Sequence, residues 1–544
     1  MKMRWLAESI KDTFRWPALV RLLLCFIILL CCRGNPAPTP SSQNQPLAEQ
    51  RLNFRLIAPG ETEAEILQKA VNIVPSANQL AWQELEFIAF AHFGMNTFTN
   101  REWGQGTESP TLFNPTEFDA RQWVSALKAA GMKMLIVTAK HHDGFCLWPS
   151  RQTEHSVAKS PWRKGKGDVV KEVAKACREG GLKLGIYLSP WDRHEPTYGD
   201  SPAYNEFFRR QLGELLANYG EVGEVWFDGA CGEGPNGKRQ VYDWPSYYRV
   251  VRELQPKAVI FGMGPDIRWV GTESGYGRET EWSVVPVKVR PLEAPEEQAG
   301  RASPPLSLDD LFLPGDMTEA DLGSRQKIKD ARALAWYPAE TDVSIRPGWF
   351  YHAGQDGEVK SPEKLVDIYF SSVGRNGVLL LNVPPDKRGR IHENDIRSLI
   401  GMRRILDQTF QANLASGATV SSSNERKGYP ASSIIDSSKS SYWTTSDGID
   451  SAVLEFDLPA SRTFNVALLQ EHIRLGQRVE EFSLEARDDG TWRRFAGGTT
   501  IGYKRLIRFP EVTAQKIRLR ILKSRSSPTL AAFGLYMKAV SAAE

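Results

Sequence analysis

Short apolar runs alternate with amphipathic stretches from about residue 85 onward. Glu86–His92, Met134–Lys140, Leu182–Leu188, Glu224–Asp228, Ala258–Phe261 and Gly377–Val383 are rich in aliphatic and aromatic residues, which predicts buried strands. Between them, Phe118–Ala130, Asp168–Glu179, Ala203–Tyr219 and Trp244–Leu254 carry apolar residues at helical spacing. Asp168 and Ser201-Pro202 are helix-start signals, and Gly131 and Gly180-Gly181 are stops. Repeated strand–helix units imply an α/β fold, a parallel sheet with crossover helices. No GxGxxG or Walker-type loop follows any of these strands, so a doubly wound nucleotide fold is disfavoured. A (β/α)8-like TIM barrel is the expectation.

The pattern changes near residue 410. Helical periods give way to alternating runs at Ala452–Asp457, Val466–Gln470, Phe482–Ala486 and Lys516–Leu522, separated by turn residues. This predicts a C-terminal antiparallel β-sandwich over 411–544, after a barrel spanning 51–410. The Pro- and acid-rich stretch from Pro286 to Asp321 reads as an insertion within the barrel half.

Length agrees, since 544 residues exceed one ordinary compact core. Ahead of the barrel, scattered basic residues precede the apolar run Leu22–Cys32, too short for a membrane span of about 20 residues. It fits an export signal over 1–34, followed by a Pro/Ser/Asn/Gln tether over 35–50. Export follows as an expectation: periplasmic, secreted, or held at the cell surface as a lipoprotein. An uncleaved anchor is the alternative. Lipidation at Cys31 or Cys32 is disfavoured by Leu30, which stands where a small residue belongs. Cys146, Cys177 and Cys231 are odd in number and have no metal-type or redox-type spacing. The net charge of +3 gives no reason to expect nucleic acid as partner. The 16 tryptophans must occupy either cores or faces that stack on sugar-like ligands.

In a barrel of this type the site lies at the C-terminal ends of the strands. Those ends read His92, then His141-His142-Asp143, then Tyr187, then Asp228. Polar groups recurring where consecutive apolar runs stop are a site. A His-His-Asp metal cluster, with Asp228 as a further ligand, is one reading. Adjacent histidines on a strand point to opposite sides, which disfavours it. Glycoside hydrolysis is the other, and it needs two carboxyl groups flanking the scissile bond. Asp228 ends a buried strand, a good seat for a fixed nucleophile.

Several motifs resemble the α-L-fucosidases of glycoside hydrolase family 29. They are His92-Phe-Gly-Met-Asn, Glu102-Trp103-Gly, His141-His-Asp-Gly-Phe, Gly185-Ile-Tyr187, Glu224-Val-Trp-Phe-Asp228-Gly and Arg268-Trp269-Val-Gly. Ala335-Trp-Tyr-Pro-Ala-Glu-Thr, Arg346-Pro-Gly-Trp349-Phe-Tyr and Gly374-Arg-Asn-Gly-Val-Leu-Leu-Leu-Asn382 continue the series in the family's order. The resemblance covers about residues 80–410. It implies a retaining enzyme with Asp228 as nucleophile. In the branch preferring α-1,3/1,4-linked fucose, a glutamate just after the Arg-Trp motif is the acid/base, and here that is Glu273. Glu233, Glu279 and Glu281 are the other candidates, each reading as a solvated loop charge. The two carboxyls are then expected about 5–5.5 Å apart in a closed complex.

The same resemblance assigns sugar contacts to His92, Glu102, Trp103, His141, His142, Tyr187 and Arg268. Trp349 offers a wall for the fucose methyl group, and Trp282 is either core or a face toward the rest of the glycan. No cofactor is implied, and the partners are fucosylated glycans. The alternatives are a fucose-binding protein on an inactive barrel, or α-L-galactosidase-like side specificity.

Ala431-Ser-Ser-Ile-Ile-Asp436, Ser441-Tyr-Trp443-Thr-Thr and Ala531-Ala-Phe-Gly-Leu-Tyr536 are similar to discoidin-like, factor 5/8 type C modules. These often bind sugars and carry a structural calcium. Ala532 and Asp436-Ser437 depart from the calcium pattern, and Trp443 reads as core.

Overall fold

The computed structural model describes residues 52–291, 307–436, 438 and 440–539. The segments read as export signal and tether lie outside the described residues. Parallel strands build the first half: β1 (Phe87–Ala91), β2 (Met134–Lys140), β3 (Lys183–Leu188), β4 (Val222–Phe227), β5 (Val259–Gly262), β6 (Arg268–Trp269), β7 (Ala339–Ser344) and β8 (Val378–Asn382). They pair in the order β5-β4-β3-β2-β1-β8-β7-β6 as one 8-stranded sheet. A parallel bridge from Phe261 to Ile267 joins its two ends, closing the TIM-like barrel.

Side chains alternate across each strand, so every second residue points inward. Ile88, Phe90, Met134, Ile136, Tyr187, Trp226, Val259, Phe261, Val378 and Leu380 fill the interior. The intervening residues, among them Leu135, Val137, Ile186, Val225 and Phe227, join the layer beneath the helices. With both faces buried, the strands read as continuous apolar runs. The helices are α1 (Ala120–Ala129), α2 (Val169–Gly180), α3 (Ser201–Asn218), α4 (Trp244–Leu254), α5 (Pro362–Ser372) and α6 (Glu393–Thr409). The side chain of Asp168 accepts the Lys171 N–H at the start of α2, and Gly181 ends it at φ 78°, which favours glycine.

Two connections break the strand–helix repeat. β5 and β6 are separated by only five residues, 263–267, and the described residues between 270 and 338 run from β6 to β7 without a long helix. Within that stretch Val284–Pro286 pairs with Ala333–Trp336, whose other edge takes Phe54–Leu56 from ahead of the barrel, in an antiparallel sheet. The expected insertion falls here too, with Lys288–Val289 paired to Phe312–Leu313 and residues 292–306 outside the described residues.

The C-terminal half is antiparallel throughout and has its own core of Trp443, Leu454, Phe456, Phe464, Phe482, Leu519 and Phe533. Its long strands, Ala452–Glu471 and Arg505–Ser524, pair along their length with register shifts between Asp457 and Arg462 and between Phe464 and Val466. Such bulges let one strand bend through both layers of a sandwich. Trp443 is core, as its neighbours implied. The Asp436 carboxylate accepts the Ser441 hydroxyl and the Ser438 N–H. Barrel and sandwich belong to one compact unit.

Candidate active site

The polar residues at the strand ends converge. Asp228, just past β4, accepts the Tyr187 hydroxyl on Oδ2 at 2.9 Å and the Ala230 N–H on Oδ1 at 2.7 Å. Both oxygens are thereby oriented, and the side chain keeps 22% exposure toward the pocket. His142 Nε2 stands 3.8 Å from Oδ2.

Hydrogen bonds set the histidine tautomers. Asn382 Nδ2 donates to the Trp349 carbonyl and to Ser344 Oγ, which fixes its amide. Its Oδ1 therefore accepts from the His92 backbone N–H and from Nδ1–H at 2.9 Å. His92 Nε2 is left as an acceptor. Ser189 Oγ donates to the Trp191 carbonyl, so it accepts from His142 Nδ1–H at 2.7 Å, and His142 Nε2 is also an acceptor. Asn96 Nδ2 approaches His141 Nδ1 at 3.4 Å, which places the His141 proton on Nε2. Burial pushes His92 down to about 3, and it lowers His141 and His142 as well, so all three rings are neutral at physiological pH. Two acceptors and a donor suit sugar hydroxyls, which do both.

The histidine arrangement differs from the sequence expectation. β2 ends at Lys140, so His141 and His142 lie off the strand and strand alternation does not separate them. Their ring centroids are 4.1 Å apart, on the same site. Asp143 leaves the cluster: it is buried with its Cβ against Gly104, and its Oδ1 accepts the Phe145 N–H. Among the described residues no set of three or more His, Cys, Asp or Glu side chains is arranged for a metal.

Glu273 stands exposed in the loop after β6, where Trp349 Nε1 donates to its Oε2 at 3.1 Å. The Trp349 ring lies 5.0 Å from His92, and its backbone N–H donates to Glu102 Oε2 at 2.8 Å. Glu102 Oε1 pairs with His352 Nε2 at 2.6 Å, and His352 Nδ1 with Asn100 at 2.8 Å. Trp103 is 55% exposed and stands edge-on to His142 and Trp191 at the rim.

Below the site, tryptophans and carboxyls pair in tiers. Trp82 donates to Glu224 at 2.7 Å, Trp226 to Glu340 at 2.9 Å and Trp269 to Asp342 at 2.8 Å. Burial raises all three carboxyls, Glu224 to about 7 and Asp342 to about 8, with Glu340 well above its usual range and raised further by Glu224. Repulsion from Glu273 and Asp228 adds to the upward push on Asp342.

Arg268 is 1% exposed; its Nε donates to the Tyr337 carbonyl and its Nη2 to the Trp282 carbonyl and Glu281, while its buried Nη1 has no hydrogen-bond partner. A buried guanidinium needs such acceptors. Glu281 is accordingly a buried ion-pair partner, not a solvated loop charge. Glu279 stays exposed and pairs with Arg375 and Arg505. Trp282 is core, with the Arg525 guanidinium 3.4 Å over its ring. The sequence reading missed Trp226, Trp269, Asp342, His352 and Asn382 as parts of the site. The signal for Asn382 was available, because it ends an apolar strand. His352 and Asp342 act through contacts no local pattern announces.

The alpha-L-fucosidase family profile matches residues 72–264 and 304–409, and the F5/8 type C domain profile matches 417–534. The chain belongs to the alpha-L-fucosidase family and is a glycoside hydrolase. It is 43% identical to alpha-L-fucosidase 1 of Arabidopsis thaliana over 85% of this chain and 87% of that one. Among solved structures it resembles a family 29 fucosidase of Ruminococcus gnavus in complex with fucose, at 35% identity and TM-score 0.74, covering 86% and 95% of the two chains. A family 29 member from an unknown rumen bacterium is similar at 41% identity and TM-score 0.70, covering 87% and 78%.

Proposed function

We propose that this protein is an exported, retaining exo-α-L-fucosidase that removes terminal, α-1,3/1,4-linked fucose from glycans. One observation carries the mechanism: Asp228 is oriented by Tyr187 and the Ala230 N–H, and Glu273 is held by Trp349 on the same cluster. Asp228 attacks the anomeric carbon as the C–O bond to the leaving sugar breaks, and Glu273 protonates that oxygen. Glu273 then takes a proton from water, which attacks the glycosyl–Asp228 ester and frees fucose with its configuration retained. His92 and His142 accept from fucose hydroxyls through Nε2, and His141 donates. The Trp349 ring walls the methyl group, and Trp103 faces the glycan beyond. Two carboxyls suffice, so no cofactor enters the scheme.

The Ruminococcus gnavus relative has also been solved with fucose as a variant with one aspartate replaced by alanine, which supports an aspartate in the central role. Proton NMR of an aryl α-L-fucoside during turnover should show the α-anomer of fucose first. Appearance of the β-anomer first rules out retention. Release of fucose from Lewis-type trisaccharides but not from 2′-fucosyllactose supports the linkage assignment, and the reverse preference overturns it.

A further inference from the structure

The loop bearing Glu273 is held at one end by the barrel and at the other by the β-sandwich. On the barrel side, the Val270 N–H donates to the Glu340 carbonyl at 2.9 Å, Gly275 to Asp342 at 3.2 Å and Gly277 to Ser371 at 2.7 Å. From Glu279 onward sandwich residues join the barrel's Asn376, whose Nδ2 donates to the Glu281 carbonyl at 3.2 Å. Thr499 Oγ1 reaches the Glu279 carbonyl at 3.2 Å and Thr280 Oγ1 at 2.9 Å. The Glu281 N–H donates to Thr500 Oγ1 at 3.0 Å. Gln477 Nε2 donates to the Glu281 carbonyl at 2.9 Å, while its Oε1 accepts the Ser283 N–H at 2.8 Å. Arg505 Nη1 adds a bond to the Glu279 carbonyl at 2.7 Å.

The contacts of Thr500 and Gln477 sit out of water. Thr500 is 1% exposed, and Gln477 and Glu281 are 2% each. A buried bond of this kind cannot be exchanged for one to solvent, so its loss leaves an unsatisfied group. Glu281, fixed by the sandwich, grips Arg268 at the start of the same loop, so the loop is closed across its base by a buried ion pair. Glu273 lies between these anchors. A general acid must be held to within about 0.5 Å of its productive position, and an exposed loop does not do so unaided.

We infer that the C-terminal domain is a working part of the acid/base apparatus, with Thr500 and Gln477 as positioning residues that set Glu273 through Glu281 and Arg268. This rests on the reading of Glu273 as acid/base, and it gives the sandwich a task independent of glycan binding.

Thr500→Val keeps the volume and removes the acceptor, and Thr500→Ser restores it. The assay is kcat/KM, which reports bond cleavage, on two aryl α-L-fucosides: an activated one whose leaving group departs unprotonated, and phenyl fucoside, which needs the acid. Thr500→Val should lower kcat/KM about tenfold on phenyl fucoside. It should change the activated substrate less than about threefold and leave fucose inhibition unchanged, with Thr500→Ser near the parent. Equal loss on both substrates, or no loss, overturns the inference. If Thr500→Val fails to fold, the half-exposed Thr499→Val reads the same selectivity, and its absence there overturns the inference as well. Glu273→Ala run alongside separates the two claims: without a leaving-group-dependent loss in that variant, the acid/base assignment itself fails.

Discussion

Asp342→Asn examines the electrostatics beneath Asp228 and Glu273, the two carboxyls of the proposed mechanism. Asp342 is 3% exposed, and its Oδ1 accepts the Trp269 indole N–H at 2.8 Å. Burial pushes it to about 8, against the Trp269 hydrogen bond and with added repulsion from Glu273 and Asp228. An unfolded aspartate titrates near about 3.9. Between those values the native state holds a proton that the unfolded state has lost, so stability falls as pH rises, by about 1.4 kcal/mol per pH unit. At pH 7 the accumulated cost is about 4 kcal/mol.

Asparagine cannot ionise and still offers an oxygen to Trp269. Relative to the parent, the variant should therefore gain about 1.4 kcal/mol for each unit between pH 5 and 7, levelling off above about 8. Urea unfolding of both proteins at pH 5, 6 and 7 measures this, and every other titrating group cancels in the difference. A variant-minus-parent difference that stays constant with pH would falsify the assignment of a buried, protonated Asp342.

Three further outcomes are expected. Tyr187→Phe keeps the ring against Trp226 but removes the hydroxyl from Asp228 Oδ2, so kcat/KM should drop about 10–100-fold, as for a charged hydrogen bond of about 1.5–3 kcal/mol. Unchanged kinetics would mean Tyr187 does not orient the nucleophile. Lys140→Met strands Asp192, which shares a fully buried ion pair with it at 2.8 Å, and should cost about 3–5 kcal/mol in denaturant unfolding. Adding Asp192→Asn should recover much of that loss, and a double variant as unstable as the single one contradicts the pairing. Trp349→Phe retains an aromatic ring beside His92 and loses the indole N–H to Glu273, so kcat/KM should fall more on phenyl fucoside than on an activated fucoside. Equal losses on the two substrates would place Trp349 in binding alone.

Much of this was already local. The barrel strands up to β5, together with β8 and α1–α4, were legible because burial on both faces makes strands continuously apolar and one-sided burial gives helices their period. Asp228, His92 and Tyr187 were legible because a strand's end in a barrel is an address. β6 and β7 were not. β6 is two residues long, and β7 reads Ala-Glu-Thr-Asp-Val-Ser, as polar as a loop. Its carboxyls are tolerated in the barrel interior because distant indoles, Trp226 and Trp269, supply the hydrogen bonds that water would otherwise make.

Composition counted the tryptophans but could not place them. Several turn out to be donors to carboxyls in and around the barrel interior, a role set by which elements the fold brings together. The sequence by itself determined the succession of two folds, the family and the place of Asp228 at a strand end, since each follows from residues near one another in the chain. Only tertiary structure decided that Arg268 turns to Glu281, that His141 and His142 share one site, and that the sandwich grips the loop bearing Glu273. Those outcomes depend on which buried charges and hydrogen-bond donors must find partners, and their partners come from far along the chain.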